Sequence, residues 1–483
     1  MTFTSAAQRA LDTACSRGAA YADVRFENNR TERIEVRNGV VATFVDTTSI
    51  GYGIRALAGG SWGYAASNDL SDTGIDATAA LAVAIATASR SVPPTRIGTA
   101  PPVAYTDRFE TPHLVDPRTI PLGERVALLL SAERELHHDA SIAVGRAFMD
   151  LWRSEKHFFS TIGSRIQQTI LQSGSGIVAM AVNDGDVQTR SYPGDNGLYQ
   201  SGGWEIIQRA QLRENAARIA DEASALLRAP QTPSGVTDVI LGGSQVSLQI
   251  HESCGHPAEL DRVLGWEANF SGTSFLELKE LGNLRYGSDL VSIYIDNALP
   301  LGMSTVGYDD EGTKSVRSDI VRDGLLTGYE MSNDTARIIG RESNACVRAE
   351  SWEYVPMIRM CNLVLAPGET PFDDLFTDVN DGIYMESNRS WSIDDRRLNF
   401  QFGCEIAWEI KNGKRGRMLK NPTYGGVTPQ FWNSCDAIGD LASWFAWGTP
   451  NCGKGEPMQT GRTTQGASPT RFRNVTVGVG FDA

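Results

Sequence analysis

The sequence predicts an α+β fold: an N-terminal α/β domain, then a β-rich C-terminal domain with a large curved or barrel-like sheet carrying a metal-motif helix. Three observations carry this. Hairpin signals recur along the chain at Asn38-Gly39, Asp323-Gly324 and Asn412-Gly413. Long helical stretches are confined to the first half. The second half joins short apolar strands by long excursions, which suits a curved or closed sheet rather than βαβ layers.

Residues 4–18 read as a short amphipathic helix. Arg33 to Val36 and Val40 to Val45 flank Asn38-Gly39, a pair that tolerates the positive φ of a type I′ turn. Gly51 to Ala66 reads as two more strands around a Gly-rich turn. It is not a phosphate loop, because no Lys-Ser/Thr follows. Asp69 to Arg90 is Ala-rich and helical, and residues 91–103, with Pro93-Pro94 and Pro101-Pro102, form a linker. A helix over 121–138 precedes strands from Ile142 to about Val187, and one long helix spans Trp204 to Arg228. The Pro-bearing stretch after it divides the chain into domains 1–228 and 229–483. Beyond it, Val236 to Leu241 is an apolar strand and Ser244 to Ile250 leads into His251 as a helix. Alternation marks further strands around Leu290 to Ile295 and Glu405 to Ile410.

Composition narrows the function. A length of 483 residues suggests two domains, and 41% hydrophobic with 21% charged residues is a soluble globular composition. A net charge of −14 argues against a direct nucleic-acid partner, which calls for a basic face. No run approaches the ~20 apolar residues of a membrane span. The N-terminal residues lack the basic and apolar regions of a signal peptide. Seven irregularly spaced cysteines do not form a disulfide framework, so reduced thiols in a cytoplasmic protein are expected.

The chemistry concentrates in His251-Glu252-Ser253-Cys254-Gly255-His256, which holds two of only six histidines. Imidazoles bind Zn²⁺, and a glutamate beside the metal can take a proton from water. Five residues apart, the two histidines lie roughly 140° from each other on an ideal helix and could not share an ion. Gly255 and Pro257 supply a distortion, so a helix end near Gly255 and a new turn at Pro257 are expected. Catalytic zinc needs a third protein ligand. His113, His137, His138 and His157 lie in linker or polar contexts. Among the cysteines, Cys452 stands out on the Gly/Pro-rich stretch Gly448-Thr-Pro-Asn-Cys-Gly-Lys-Gly-Glu-Pro. There Lys454 could hold it as thiolate. Cys254 and Cys404 stay open as alternatives.

At this point the chain resembles the TldD/PmbA peptidases over nearly its whole length. His251-Glu-Ser-Cys-Gly-His256-Pro-Ala-Glu259-Leu-Asp261 is similar to that family's H-E-x-x-G-H-x-x-E-x-D segment. Asp309-Asp-Glu-Gly312 followed by Arg322 to Tyr329 resembles its D-D-E-G stretch and hairpin, and Gly448 to Gly453 its cysteine loop. Gly51 to Ala66 and Asn474-Val-Thr-Val-Gly resemble its Gly-rich strands and C-terminal end. The resemblance implies Zn²⁺ held by His251, His256 and Cys452, with Glu252 as general base. It implies the TldD-like, metal-binding subtype, and a cavity enclosed by two subunits. The second subunit would be a metal-free PmbA/TldE-like paralogue, or another copy of the chain. Pro257, the Trp-rich C-terminal region and Trp391-Ser-Ile-Asp-Asp depart from the family pattern.

The expected activity is therefore zinc-dependent cleavage of amide bonds in unfolded peptides. The alternatives are a small-molecule amide hydrolase or N-deacylase, and a non-enzymatic protein-binding modulator. Glu259 and Asp261 are expected to orient the ligating imidazoles, and Asp309, Asp310 and Glu311 to line the cavity.

Overall fold

Asn38 and Gly39 both take positive φ, 47° and 79°, and the chain reverses there between two long strands. The computed structural model describes residues 3–90, 101 and 103–478. Helix α1 (Phe3–Ser16) precedes β1 (Tyr21–Arg37), β2 (Val40–Ala58) and β3 (Ser61–Ser67). Helix α2 (Asp72–Ser89) is capped by Ser71, whose side chain accepts from the Gly74 amide. Its alanines let it lie close to the sheet. A Cβ on Gly63 would stand 2.1 Å from the Ala82 carbonyl oxygen. The expected linker falls outside the described residues, apart from Pro101 and Val103.

Then come β4 (Thr106–Glu110), α3 (Leu122–Leu136), β5 (Ile142–Ser160), β6 (Arg165–Asn183), β7 (Asp186–Tyr192) and β8 (Leu198–Ser201). The first sheet runs β3-β2-β1-β5-β6-β4, with β7 and β8 also paired to β6. The expected single helix from Trp204 is two, α4 (Trp204–Arg209) and α5 (Leu212–Arg228). Gln211 between them takes φ 46°, which turns Ile207 and Leu212 into one core.

In the second half, β9 (Gly235–Leu241) feeds α6 (Gly243–Ile250). The strands that matter for the site are β10 (Ile293–Asp296), β11 (Leu363–Leu365), β12 (Asp381–Ile393), β13 (Asn399–Lys411), β14 (Thr423–Val427), β15 (Phe445–Lys454), β16 (Gln459–Ala467) and β17 (Thr470–Val477). Strand β12 pairs with β9 and β13, β14 with β13 and β17, and β17 with β9. These five strands close a barrel, so they leave no edge along this ring. A second sheet of six strands contains β10-β11-β16-β15. Val246 and Ile250 of α6, Phe402 and Phe472 of the barrel and Ile293 and Leu363 of the second sheet share one core. The metal-motif helix is thus held by both sheets. No helix among the described residues is long and apolar enough to cross a membrane.

Candidate metal centre

Helix α6 ends at Ile250, but the chain stays helical beyond it. It runs through a π-helical turn, His251–Gly255, in which the His256 amide donates to the His251 carbonyl. A turn closed at five residues stacks positions 251 and 256 on one face, and π turns recur at functional sites. The expected distortion lies here: the π turn ends at Gly255 and a short helical turn, His256–Ala258, follows it without a gap. The two rings lie 4.8 Å apart between centroids and 84° apart in plane. Pro257 offers no amide to the Ser253 carbonyl, which instead accepts from the Tyr286 hydroxyl at 2.9 Å. Behind the turn, Ser253 Oγ accepts from Trp432 Nε1 at 2.9 Å. Gly255 allows close approach of a neighbour: a Cβ there would meet Met360 at 2.5 Å.

Cys452 lies on β15, not on a loop. The ladder of β15 with β16 changes register between Thr449 and Cys452, and the thiol is buried against the histidines. The structure brings His251, His256 and Cys452 together, one donor atom from each within 4.8 Å of the others. Cys452 Sγ stands 3.6 Å from His256 Nε2. Burial pushes the Cys452 thiol up, but His256 and His251 outweigh it and hold the group well below its ordinary value. Burial also opposes the charge on His251, yet Cys452 raises that imidazole to about 9. The source of thiolate character is therefore the two imidazoles. Lys454 is engaged by other groups, donating to both Asp261 oxygens at 2.8 and 2.9 Å and to the Ile358 carbonyl at 2.8 Å.

Three features test whether these residues suit zinc. The donor set is two imidazoles and a thiol, a combination zinc favours. His251 Nδ1 is buried without a hydrogen-bond partner. His256 Nδ1 donates to Glu259 Oε2 at 3.2 Å, leaving Nε2 for the metal. The residues fit the ion. Glu259 thus orients one imidazole as expected, while Asp261 holds Lys454 instead. Of the alternative cysteines, Cys254 and Cys404 are fully buried outside this group, and burial pushes both thiols up.

Glu252 lies beside the donors, and its Oε2 accepts from Arg397 Nη1 at 2.5 Å. Arg397 sits in the connection between β12 and β13 at φ 62°. Asp394 shapes this turn by accepting from the Leu398 and Asn399 amides at 2.8 and 3.0 Å. Arg397 was absent from the sequence reading. Its one signal was the departure of the neighbouring Trp391-Ser-Ile-Asp-Asp segment from the family pattern.

These groups line a cavity of about 290 Å³ together with Asp195, Asn388, Trp391 and Trp447. Asp195 comes from the Pro193–Gly197 connection of the first half. Burial, then the charge of Glu405, pushes its carboxyl up to about 7. It too was missed, because that stretch reads simply as a turn. Asp309, Asp310 and Glu311 are not among the lining residues. Asp310 pairs with Lys156 at 3.0 Å, Glu311 with Arg55 at 2.6 Å, and Asp309 accepts the amides of Glu311 and Thr313. A buried acidic turn next to two cations of the first sheet ties the two halves instead. The other histidines lie elsewhere, His113 on the Thr111 carbonyl, His137 on Glu133, His138 on Asp221, and His157 against Phe3.

Residues 234–479 match the profile of the PmbA/TldA metallopeptidase C-terminal domain, and residues 22–86 match PmbA/TldA metallopeptidase domain 1. A metalloprotease of Methanothermobacter thermautotrophicus is 28% identical over 467 residues, covering 95% of both chains. A zinc metalloprotease TldD homologue of Saccharolobus solfataricus is 26% identical over 213 residues, 44% of this chain and 46% of that one. Among solved structures, a candidate modulator of DNA gyrase from Thermotoga maritima superposes with a TM-score of 0.78. It has 18% identity and covers 99% of this chain and all of its own. TldE of Thermococcus kodakarensis superposes with a TM-score of 0.73 at 14% identity, covering 98% of this chain and 99% of its own.

Proposed function

Because the chain belongs to the PmbA/TldD family of metallopeptidases, we propose that it is a zinc-dependent hydrolase cutting amide bonds of unfolded peptides at His251, His256 and Cys452. The observation that carries this reading is the convergence of these three buried donors on one cavity, with Glu252 on the same wall. Zinc, when bound, supplies Lewis-acid polarisation of the scissile carbonyl and of the attacking water. Glu252 takes the water's proton on Oε1 and delivers it to the leaving amine. Arg397 holds Oε2 and so fixes the carboxylate's orientation. Glu259 fixes the His256 ring, and Trp391 and Trp447 give the cavity apolar walls.

The curated relatives named metalloproteases favour an enzyme over the non-enzymatic modulator. A cavity of about 290 Å³ with two tryptophans favours, as a second reading, a small-molecule amide hydrolase or N-deacylase using the same groups. Turnover of unfolded peptides against small N-acyl amides separates the two.

The working unit in this reading is a pair of subunits enclosing the site, with a metal-free TldE-like paralogue favoured over a second copy. The likeness to TldE supports the pairing. So does the outer half of β2, where Val40, Val41, Phe44, Val45 and Ile50 are exposed on a sheet edge. The division into domains 1–228 and 229–483 is supported by the two profile matches lying on either side of it. All seven cysteines are free, which suits a reducing cytoplasm.

Elemental analysis tests the ligand set. His256→Ala and Cys452→Ala should each lose one zinc equivalent relative to the unaltered chain. Unchanged zinc in Cys452→Ala would overturn the assignment.

A further inference from the structure

Behind the catalytic centre lies a second convergence of donors. Glu330, Cys346 and Cys361 are buried, and one donor atom of each lies within 4.8 Å of the other two. We propose that these three residues form a second, structural site for a thiophilic divalent cation, with Zn²⁺ as the occupant. The proposal does not depend on the ligand set of the first centre.

The residues come from three segments that meet only through the fold. Glu330 follows the Asp323-Gly324 hairpin, Cys346 precedes a short strand at Val347–Arg348, and Cys361 precedes β11. Glu330 Oε1 accepts from the Cys361 amide at 2.9 Å, while Oε2 is buried with no hydrogen-bond partner. As a carboxylate, that oxygen would be desolvated without compensation. As an acid, its O–H would lack an acceptor. A cation removes the conflict in either case. Asn297, also fully buried, has an unpartnered Oδ1 as well, and its side chain meets Cys361. Two thiols with one hard oxygen select zinc over magnesium or calcium.

Tetrahedral zinc holds sulfur at ~2.3 Å and carboxylate oxygen at ~2.0–2.2 Å. In a tetrahedron those bonds set the donors about 3.6–3.8 Å apart, so donors within 4.8 Å of one another need to close by roughly 1 Å. The position gives the site a purpose. The Glu330 amide donates to the Ala258 carbonyl at 2.8 Å, and its carbonyl accepts from the Leu260 amide at 3.0 Å. Both contacts clamp the backbone that carries His256 and Glu259. Met360, next to Cys361, packs on Gly255 of the π turn. A cation here would brace the motif from behind without touching substrate.

The experiment is zinc content and Co²⁺ absorption on the purified full chain, on Cys346→Ser/Cys361→Ser and on Cys452→Ser. The unaltered chain should hold two zinc equivalents, and each variant one. The thiolate-to-Co²⁺ charge-transfer intensity should stand near three to one to two in that order. If the double variant fails to fold, the comparison of the unaltered chain with Cys452→Ser still decides, at three to two. One zinc equivalent in the unaltered chain that Cys452→Ser abolishes, or two equivalents retained by the double variant, would overturn the second site. The first of those results would leave the catalytic reading intact.

Discussion

Lys454 offers a quantitative test of how the site is held. Its ammonium is fully buried and meets Asp261 at 2.8 Å, the Ile358 carbonyl at 2.8 Å and Glu259 at 3.5 Å. Lys454→Met keeps the volume and removes the charge. Asp261, 5% exposed, then lacks its counter-ion, and Glu259 keeps only Arg262 and His256. Breaking a buried pair from one side costs about 3–5 kcal/mol. At ~2–4 °C per kcal/mol in a domain of this size, the midpoint should fall by about 6–20 °C. The acid limb should change as well. Burial pushes the Glu259 carboxyl up, but Lys454 and then His256 outweigh it and hold it well below its usual 4.5. A depressed folded value gives stability that is present above about pH 4.5 and lost as pH falls toward the folded value. Lys454→Met should shrink that loss. Guanidinium unfolding followed by tryptophan fluorescence, at pH 7 and from pH 5 to 3, measures both effects. A destabilisation under about 1 kcal/mol with an unchanged acid limb would refute the reasoning.

Other outcomes follow from the same contacts. Glu259→Gln should weaken zinc binding ~10–100-fold in a chelator competition, since it orients His256. Arg397→Met should keep the metal but lower kcat by at least ~10-fold, read in a peptide-cleavage assay with metal content in parallel. Asp195 is held up at about 7, so its folded value lies above the unfolded one; stability should fall as pH rises from about 4 to 7. Asp195→Asn should flatten that slope in denaturation at pH 5 and 8. The intact assembly should cleave unfolded peptides and spare tightly folded proteins, and rapid internal cutting of a rigid folded protein in a gel assay would count against an enclosed site.

The turns were legible because their chemistry is local. Asp323 and Gly324 take φ 47° and 76°, and Asn412 and Gly413 take 49° and 77°, values that Asn, Asp and Gly tolerate. The motif was legible as residue types but not as geometry. Its π turn rests on Tyr286 and Trp432, 33 and 179 residues from Ser253. Cys452 read as a loop cysteine because glycine and proline surround it, yet pairing with β16 draws the segment into a strand. Arg397 reaches Glu252 from 145 residues away, beyond any local signal. The Asp309–Glu311 turn misled for a similar reason. Its acidity matches a cavity wall, but its partners Arg55 and Lys156 lie on the first sheet.

The most direct test of the central claim is the turnover of an unfolded peptide by the zinc-replete Glu252→Gln protein. Glu252 sits beside the donor cluster without belonging to it, so the variant should keep its zinc. Positioned proton transfer contributes ~10²–10⁴-fold, and turnover should fall by that much. Near-normal turnover with full zinc would contradict the account.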